Sequence, residues 1–170
     1  MDGNAKPEPS VAVARGKDAE RASHPPWRSV ASMMEGRSGP FRVLLAEDDA
    51  EMRRVVGDAL RGDGYEVVEA VDGGRLLVDI AARLKGGDGA GSVDLIVSDI
   101  RMPICTGLQI LAALRDARWR TPVILMTAFG DEAVRRHAEG LDAVLFDKPF
   151  EVDDLRTAVA NLLPRERPPR

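Results

Sequence analysis

The chain holds one cysteine in 170 residues, Cys105, so no disulfide can form within it. Its two histidines, His24 and His137, stand apart, and neither has metal-ligand company nearby. No apolar run approaches the roughly 18 residues needed to span a bilayer, and the N-terminus lacks the apolar stretch of about 7–15 residues that marks a secretory signal. These absences read together as a cytoplasmic chain with no membrane insertion. There is no excess of basic charge: 24 Lys and Arg stand against 28 Asp and Glu, for a net charge of −4. With a pI of about 5.3, nucleic acid is disfavoured as a general partner. Gly86-Gly87-Asp88-Gly89-Ala90-Gly91 is glycine-rich but lacks the trailing Lys-Ser/Thr of a phosphate-binding P-loop, so it reads as a lengthened loop. No internal repeat is visible. What is present is ordinary for a packed domain: 44% hydrophobic and 31% charged residues in a chain long enough to bury a core.

Residues 1–40 differ from the rest. Five prolines, scattered charge of both signs and no sustained apolar period predict a disordered tail, because too little surface can be buried to offset the ordering entropy. The tail carries six basic and five acidic residues, so the acidic excess lies downstream. From Phe41 the pattern alternates between two periods. Apolar runs of strand length occur at 43–46, 65–70, 93–97, 123–126 and 143–146. Most are continuously apolar, as expected of strands covered on both faces. Between them lie helical stripes: Met52, Val55, Val56, Ala59 and Leu60; Leu76, Leu77, Ile80, Ala81 and Leu84; Ile110, Leu111 and Leu114; a short charged segment at 132–139; and Val152, Leu155, Val159, Leu162 and Leu163. Five strand–helix units predict an α/β fold, a doubly wound (βα)5 parallel sheet over 41–163. The Arg- and Pro-rich residues 164–170 are expected to fray. So short a C-terminal remainder leaves no room for an output domain, and any signal is expected to pass by protein–protein contact.

In such sheets ligands sit beyond the carboxyl ends of the strands. Those ends carry Glu47-Asp48-Asp49, Ser98-Asp99, Thr127-Ala128 and Asp147-Lys148-Pro149. Glu47, Asp48 and Asp99 bring three negative charges, which one divalent cation and the Lys148 ammonium would balance. Uncompensated carboxylates would instead raise one another's pKa and protonate. Acidic oxygens without His or Cys suit Mg²⁺. A carboxylate beside that ion can attack phosphorus and form an aspartyl phosphate. Lys148, the Thr127 hydroxyl and the Ala128 amide would then receive the phosphoryl oxygens.

The four segments Ala46-Glu47-Asp48-Asp49, Asp94 to Pro103, Met126-Thr127-Ala128 and Asp147-Lys148-Pro149-Phe150 together resemble the receiver domain of bacterial two-component response regulators, of the stand-alone type. The resemblance covers 41–163. It implies a flavodoxin-like sheet in the order 2-1-3-4-5 and a cis bond between Lys148 and Pro149. It implies that Glu47, Asp48, Asp99 and the Arg101 backbone carbonyl hold Mg²⁺, that Asp99 is the phosphoacceptor, and that Thr127 and Lys148 contact the phosphoryl group. It further implies a histidine kinase as donor, and a downstream protein or phosphotransfer protein bound through the face formed by the fourth helix, fifth strand and fifth helix.

Singly, each of these residues has an ordinary structural role. Asp49 is placed to cap the first helix, and Thr106 with Gln109 has the spacing of a capping box for the third. Two departures from the family pattern stand out. Thr106 replaces an acidic residue that is often present there, and Leu145 replaces an aromatic residue whose rotamer couples the phosphoryl site to the output face. Coupling is therefore expected through Phe146 or through the backbone, or to be weaker. Phe129, two residues past Thr127, is expected to shield the acyl phosphate from water. Beside the phosphorylation switch, three other functions fit part of the pattern. These are an intermediate phosphorelay carrier, a pseudo-receiver that binds partners without phosphate, and a Mg²⁺-dependent phosphatase. The last lacks the Asp-x-Asp spacing after its first strand.

Overall fold

The computed structural model describes residues 39–84 and 93–163. The expectations for the tail, for the glycine-rich loop at 86–91 and for residues 164–170 lie outside the described residues. Elements alternate strictly: β1 (Arg42–Ala46), α1 (Ala50–Gly62), β2 (Glu66–Ala70), α2 (Gly73–Leu84), β3 (Leu95–Asp99), α3 (Gly107–Asp116), β4 (Val123–Thr127), α4 (Glu132–Gly140), β5 (Val144–Asp147) and α5 (Val152–Leu162). The five strands form one parallel sheet in the order β2-β1-β3-β4-β5, as the resemblance implied.

Each central strand sends alternate side chains to opposite faces, as the two-residue period of a strand requires. Leu44, Ala46, Ile96, Val123 and Leu125 join one cluster with Leu76 and Ile80 of α2, Ile110, Leu111 and Leu114 of α3, and Ala138 of α4. Val43, Leu45, Leu95, Val97, Ile124 and Met126 are equally buried but lie outside that cluster, as do Val56 and Leu60 of α1 and Leu155 and Val159 of α5. Two buried layers therefore clamp the sheet, which explains why 95–97 in β3 and 123–126 in β4 are unbroken apolar runs.

Local signals fix where the helices start. Asp49 accepts a hydrogen bond from the Met52 amide at 2.8 Å, so the third acidic residue after β1 serves as a cap. Thr106 and Gln109 form the expected reciprocal capping box. The start of α3 is tucked against the strand end before it. The Gly107 amide donates to Ile100 O at 3.0 Å, and a Cβ at Gly107 would lie 2.5 Å from Asp99 O. Only glycine lets the two backbones approach so closely beneath residue 99.

Strand boundaries differ from the expectation in one informative way. The runs were read as ending at Val97, Met126 and Phe146, yet Ser98 and Asp99 belong to β3, Thr127 to β4 and Asp147 to β5. Polar residues at these positions keep the ladder because the sheet, not the solvent, takes their backbone groups: Asp99 pairs with Met126 and Thr127 with Asp147.

Candidate functional site

The carboxyl ends of β1, β3 and β5 converge. One carboxylate oxygen from each of Glu47, Asp48 and Asp99 lies within 4.8 Å of the others. Lys148 enters from β5, with its Nζ 2.7 Å from Glu47 Oε2 and 3.2 Å from Asp99 Oδ2. The peptide bond from Lys148 to Pro149 is cis. The Lys148 amide donates to Thr127 O at 2.7 Å, which extends the β4–β5 pairing by one residue. Glu47 is similarly anchored: its amide donates to Ala70 O at 3.2 Å, and its Oε1 accepts from the Asp49 amide at 3.2 Å. Asp99 Oδ1 accepts from the Arg101 amide at 3.3 Å.

Burial sets the electrostatics. Glu47 is only 1% exposed. Desolvation pushes its carboxyl above the usual range, and the neighbouring Asp99 charge adds to this. The hydrogen bonds from Lys148 and from the Asp49 amide oppose the rise without cancelling it. Burial pulls Lys148 down, but the Glu47 hydrogen bond and the Asp99 charge outweigh it and hold the ammonium above the ordinary lysine value. The cluster thus has three carboxylates and one cation, and it is short of positive charge. Its donors are all oxygen, and two of the three acids are buried. That donor set fits a hard divalent cation of the Mg²⁺ type, which needs one or two carboxylates and keeps several waters.

A pH dependence follows from the Glu47 shift. Because its folded pKa is raised, this group's contribution is fully present below the unfolded carboxyl value of about 4.3 and is lost as pH rises through the folded one. Glu47→Gln is therefore expected to be more stable than the native chain at neutral pH in EDTA and no more stable near pH 4. Thermal melts at the two pH values measure this.

The other residues singled out in the sequence take these places in the structure. Thr127 is buried, and its hydroxyl accepts from the Phe129 amide at 3.1 Å. Ala128 follows, exposed, at the start of the loop. Thr127 and Arg101 line a cleft of about 440 Å³ with Ile100, Phe129, Gly130 and Val134. Phe129 is 64% exposed, and the Arg101 guanidinium carbon sits 4.8 Å from its ring centroid. Asp49 caps the first helix, as expected. Asp147, which was read as part of the acidic rim, departs from the expectation. It turns away from the cluster to pair with Arg135 of α4. A side chain at Gly130 would run into both Asp147 and Thr127, so this glycine lies against the α4–β5 ion pair on one side and the threonine on the other. Leu145 is half-buried against the core, and Phe146 packs edge-on to Phe150 at 5.6 Å between centroids. Cys105 is half-buried, and burial pushes its thiol up, as suits an inert side chain.

Sequence reasoning missed Arg53. Its Nη1 donates to Glu47 O at 2.8 Å while its Nε faces Glu69 Oε2 at 3.3 Å. The signal was a guanidinium four residues past a capping Asp, within reach of the preceding loop.

Comparison with known proteins identifies the family. The family model of the response regulator receiver domain matches residues 43–160. The chain belongs to that family. It is 31% identical over 129 residues to the transcriptional regulatory protein PdtaR of Mycobacterium tuberculosis, an alignment covering 75% of this chain and 59% of that protein. The chain thus accounts for about three-fifths of that curated relative. Sporulation initiation phosphotransferase F of Bacillus subtilis is 28% identical over 124 residues, covering 72% of this chain and 94% of that protein. Among solved structures, the response regulator protein TrrA of Thermotoga maritima, in complex with Mg²⁺ and BeF, superposes with a TM-score of 0.60 at 26% identity. That match covers 72% of this chain and 98% of that one. In this receiver domain the acidic cluster and Lys148 stand at the carboxyl ends of a five-stranded parallel sheet. Among the described residues, no helix is long and apolar enough to cross a membrane.

Proposed function

We propose that this receiver domain is a phosphorylation switch in which Asp99 accepts a phosphoryl group from the phosphohistidine of a histidine kinase. The observation that carries the reading is the charge imbalance at one rim: three carboxylates within 4.8 Å and a single ammonium shared between two of them. Glu47, Asp48, Asp99 and the Arg101 carbonyl hold Mg²⁺ in this reading. The ion, when bound, supplies charge neutralisation to the incoming phosphoryl oxygens.

The chain's own groups do the rest. Asp99 forms a new O–P bond as the donor's N–P bond breaks, and the electron pair leaves with the imidazole. Lys148 is already within hydrogen-bond reach of Asp99 and passes to the phosphoryl oxygens as Asp99 is consumed. The Thr127 hydroxyl exchanges its Phe129 amide for a phosphoryl oxygen, and the Ala128 amide takes another. That exchange tugs the loop carrying Gly130, behind which Arg135 of α4 pairs with Asp147 of β5. With leucine at 145, this ion pair and the backbone carry the change to the α4–β5–α5 face, where a downstream protein binds. The shift amounts to the phosphate's preference for one conformer over the other. A relay role, passing the phosphoryl group to a phosphotransfer protein, is the second reading. It is prompted by the name of one relative, sporulation initiation phosphotransferase F, at 28% identity.

The test uses acetyl phosphate with Mg²⁺ and intact mass. A gain of one phosphoryl group that EDTA abolishes supports the switch. An unchanged mass refutes it and leaves a binding module that does not use phosphate. The Arg101–Phe129 stack bears on how long the mark lasts. Phe129→Glu is expected to shorten the phosphate lifetime roughly tenfold, about 1.4 kcal/mol of barrier, as an apolar cover gives way to a group that orders water. Decay of the phosphorylated mass measures it.

A further inference from the structure

Arg53, Gly57 and Arg61 recur every four residues and so share one stripe of α1. Glu69 of β2 reaches into that stripe. Its Oε1 meets Arg61 Nη2 at 2.6 Å and its Oε2 meets Arg53 Nε at 3.3 Å. A Cβ on Gly57 would lie 2.9 Å from Glu69 Oε1, so the glycine makes room for the carboxylate between the two guanidinium groups. Anchored there, Arg53 turns its Nη1 toward the rim and donates to the carbonyls of Glu47 at 2.8 Å and Asp48 at 3.5 Å. The contact is to the backbone of the two acids and not to their carboxylates. Their side chains stay available while the loop that carries them is held.

Resting on the reading that the cluster takes Mg²⁺, we propose that Arg53, held by Glu69, is a positioning residue for cation binding by Glu47 and Asp48. Two opposing effects make the claim decidable by its sign. A guanidinium this close to the acids repels a second cation through space, so removing it should tighten Mg²⁺ binding. If its main action is to fix the loop, removing it should weaken binding. Partners that orient metal ligands are worth about 10–100-fold in affinity.

The experiment titrates MgCl₂ into the full chain by calorimetry and follows amide exchange of Asp49 in EDTA, because the Asp49 N–H donates to Glu47 Oε1. Arg53→Met is expected to raise the Mg²⁺ dissociation constant about tenfold despite the lost positive charge, and to speed Asp49 exchange without any metal present. Glu69→Gln, which keeps the guanidinium but loosens its anchor, is expected to move both readouts the same way by a smaller factor. Arg61→Met touches Glu69 but not the loop, and should leave the constant within about twofold. Native protein that binds Mg²⁺ while Arg53→Met and Glu69→Gln bind as well or better overturns this proposal alone. Native protein that binds no Mg²⁺ overturns both the proposal and the functional reading beneath it.

Discussion

Asp99→Asn is expected to lose phosphorylation by acetyl phosphate altogether while keeping the fold. The substituted amide is the same size as the carboxylate, and its oxygen can still accept the Arg101 N–H that Asp99 Oδ1 accepts at 3.3 Å. What disappears is the nucleophile, because an amide oxygen has no free charge to offer phosphorus. The cluster also loses one negative charge, so the metal-free variant should melt no lower than the native chain. Intact mass and circular dichroism on the same sample separate the two effects. Glu47 and Asp48 remain as carboxylates in that variant. A mass gain persisting in it would mean that one of them, and not residue 99, takes the phosphoryl group.

Lys148→Met is expected to cost the metal-free protein about 3 kcal/mol at neutral pH, the low end for breaking a buried ion pair. The low end applies because the lysine side chain is still 16% exposed, whereas Glu47 is 1% exposed and would be left with no ammonium. The lysine's own contribution has a defined window. Its folded pKa is raised, so the contribution is complete below the unfolded value of about 10.4 and is lost as pH climbs through the folded one. At the acid end, protonation of Glu47 removes the charge that Lys148 had been balancing. The deficit of the variant should therefore shrink as pH falls below the raised Glu47 value. Urea unfolding in EDTA at neutral pH and near pH 4 measures both limbs. Added Mg²⁺ should recover part of the loss at neutral pH, since a cation then replaces the missing ammonium.

The sheet was legible because burial on both faces leaves a simple mark: unbroken apolar runs such as 123–126, closed there by Thr127. The site was legible for a related reason, since polar groups after those runs fall at the carboxyl ends of the strands, where ligands of such sheets sit. Strand ends were read one or two residues short. A polar residue marks a change of environment in sequence, but the ladder continues as long as a neighbouring strand supplies partners, as β4 does for Asp99. Position in sequence already separated Asp48, which joins the cluster, from Asp49, which caps α1. Residue type alone did not separate Asp147, which faces Arg135 across the α4–β5 gap. The Arg53–Glu69 contact was hidden because both residues look like solvated surface charge in their own elements. Gly57 looks like a weak point in a helix until the carboxylate it admits is seen.

Residue 99 is the proposed carrier of the phosphoryl group, and reductive trapping tests this most directly. After phosphorylation with acetyl phosphate and Mg²⁺, borohydride converts an aspartyl phosphate to homoserine, and peptide mass mapping locates it. Homoserine at position 99, with Glu47 and Asp48 unchanged, is the predicted result; conversion at another carboxylate, or at none, would contradict it.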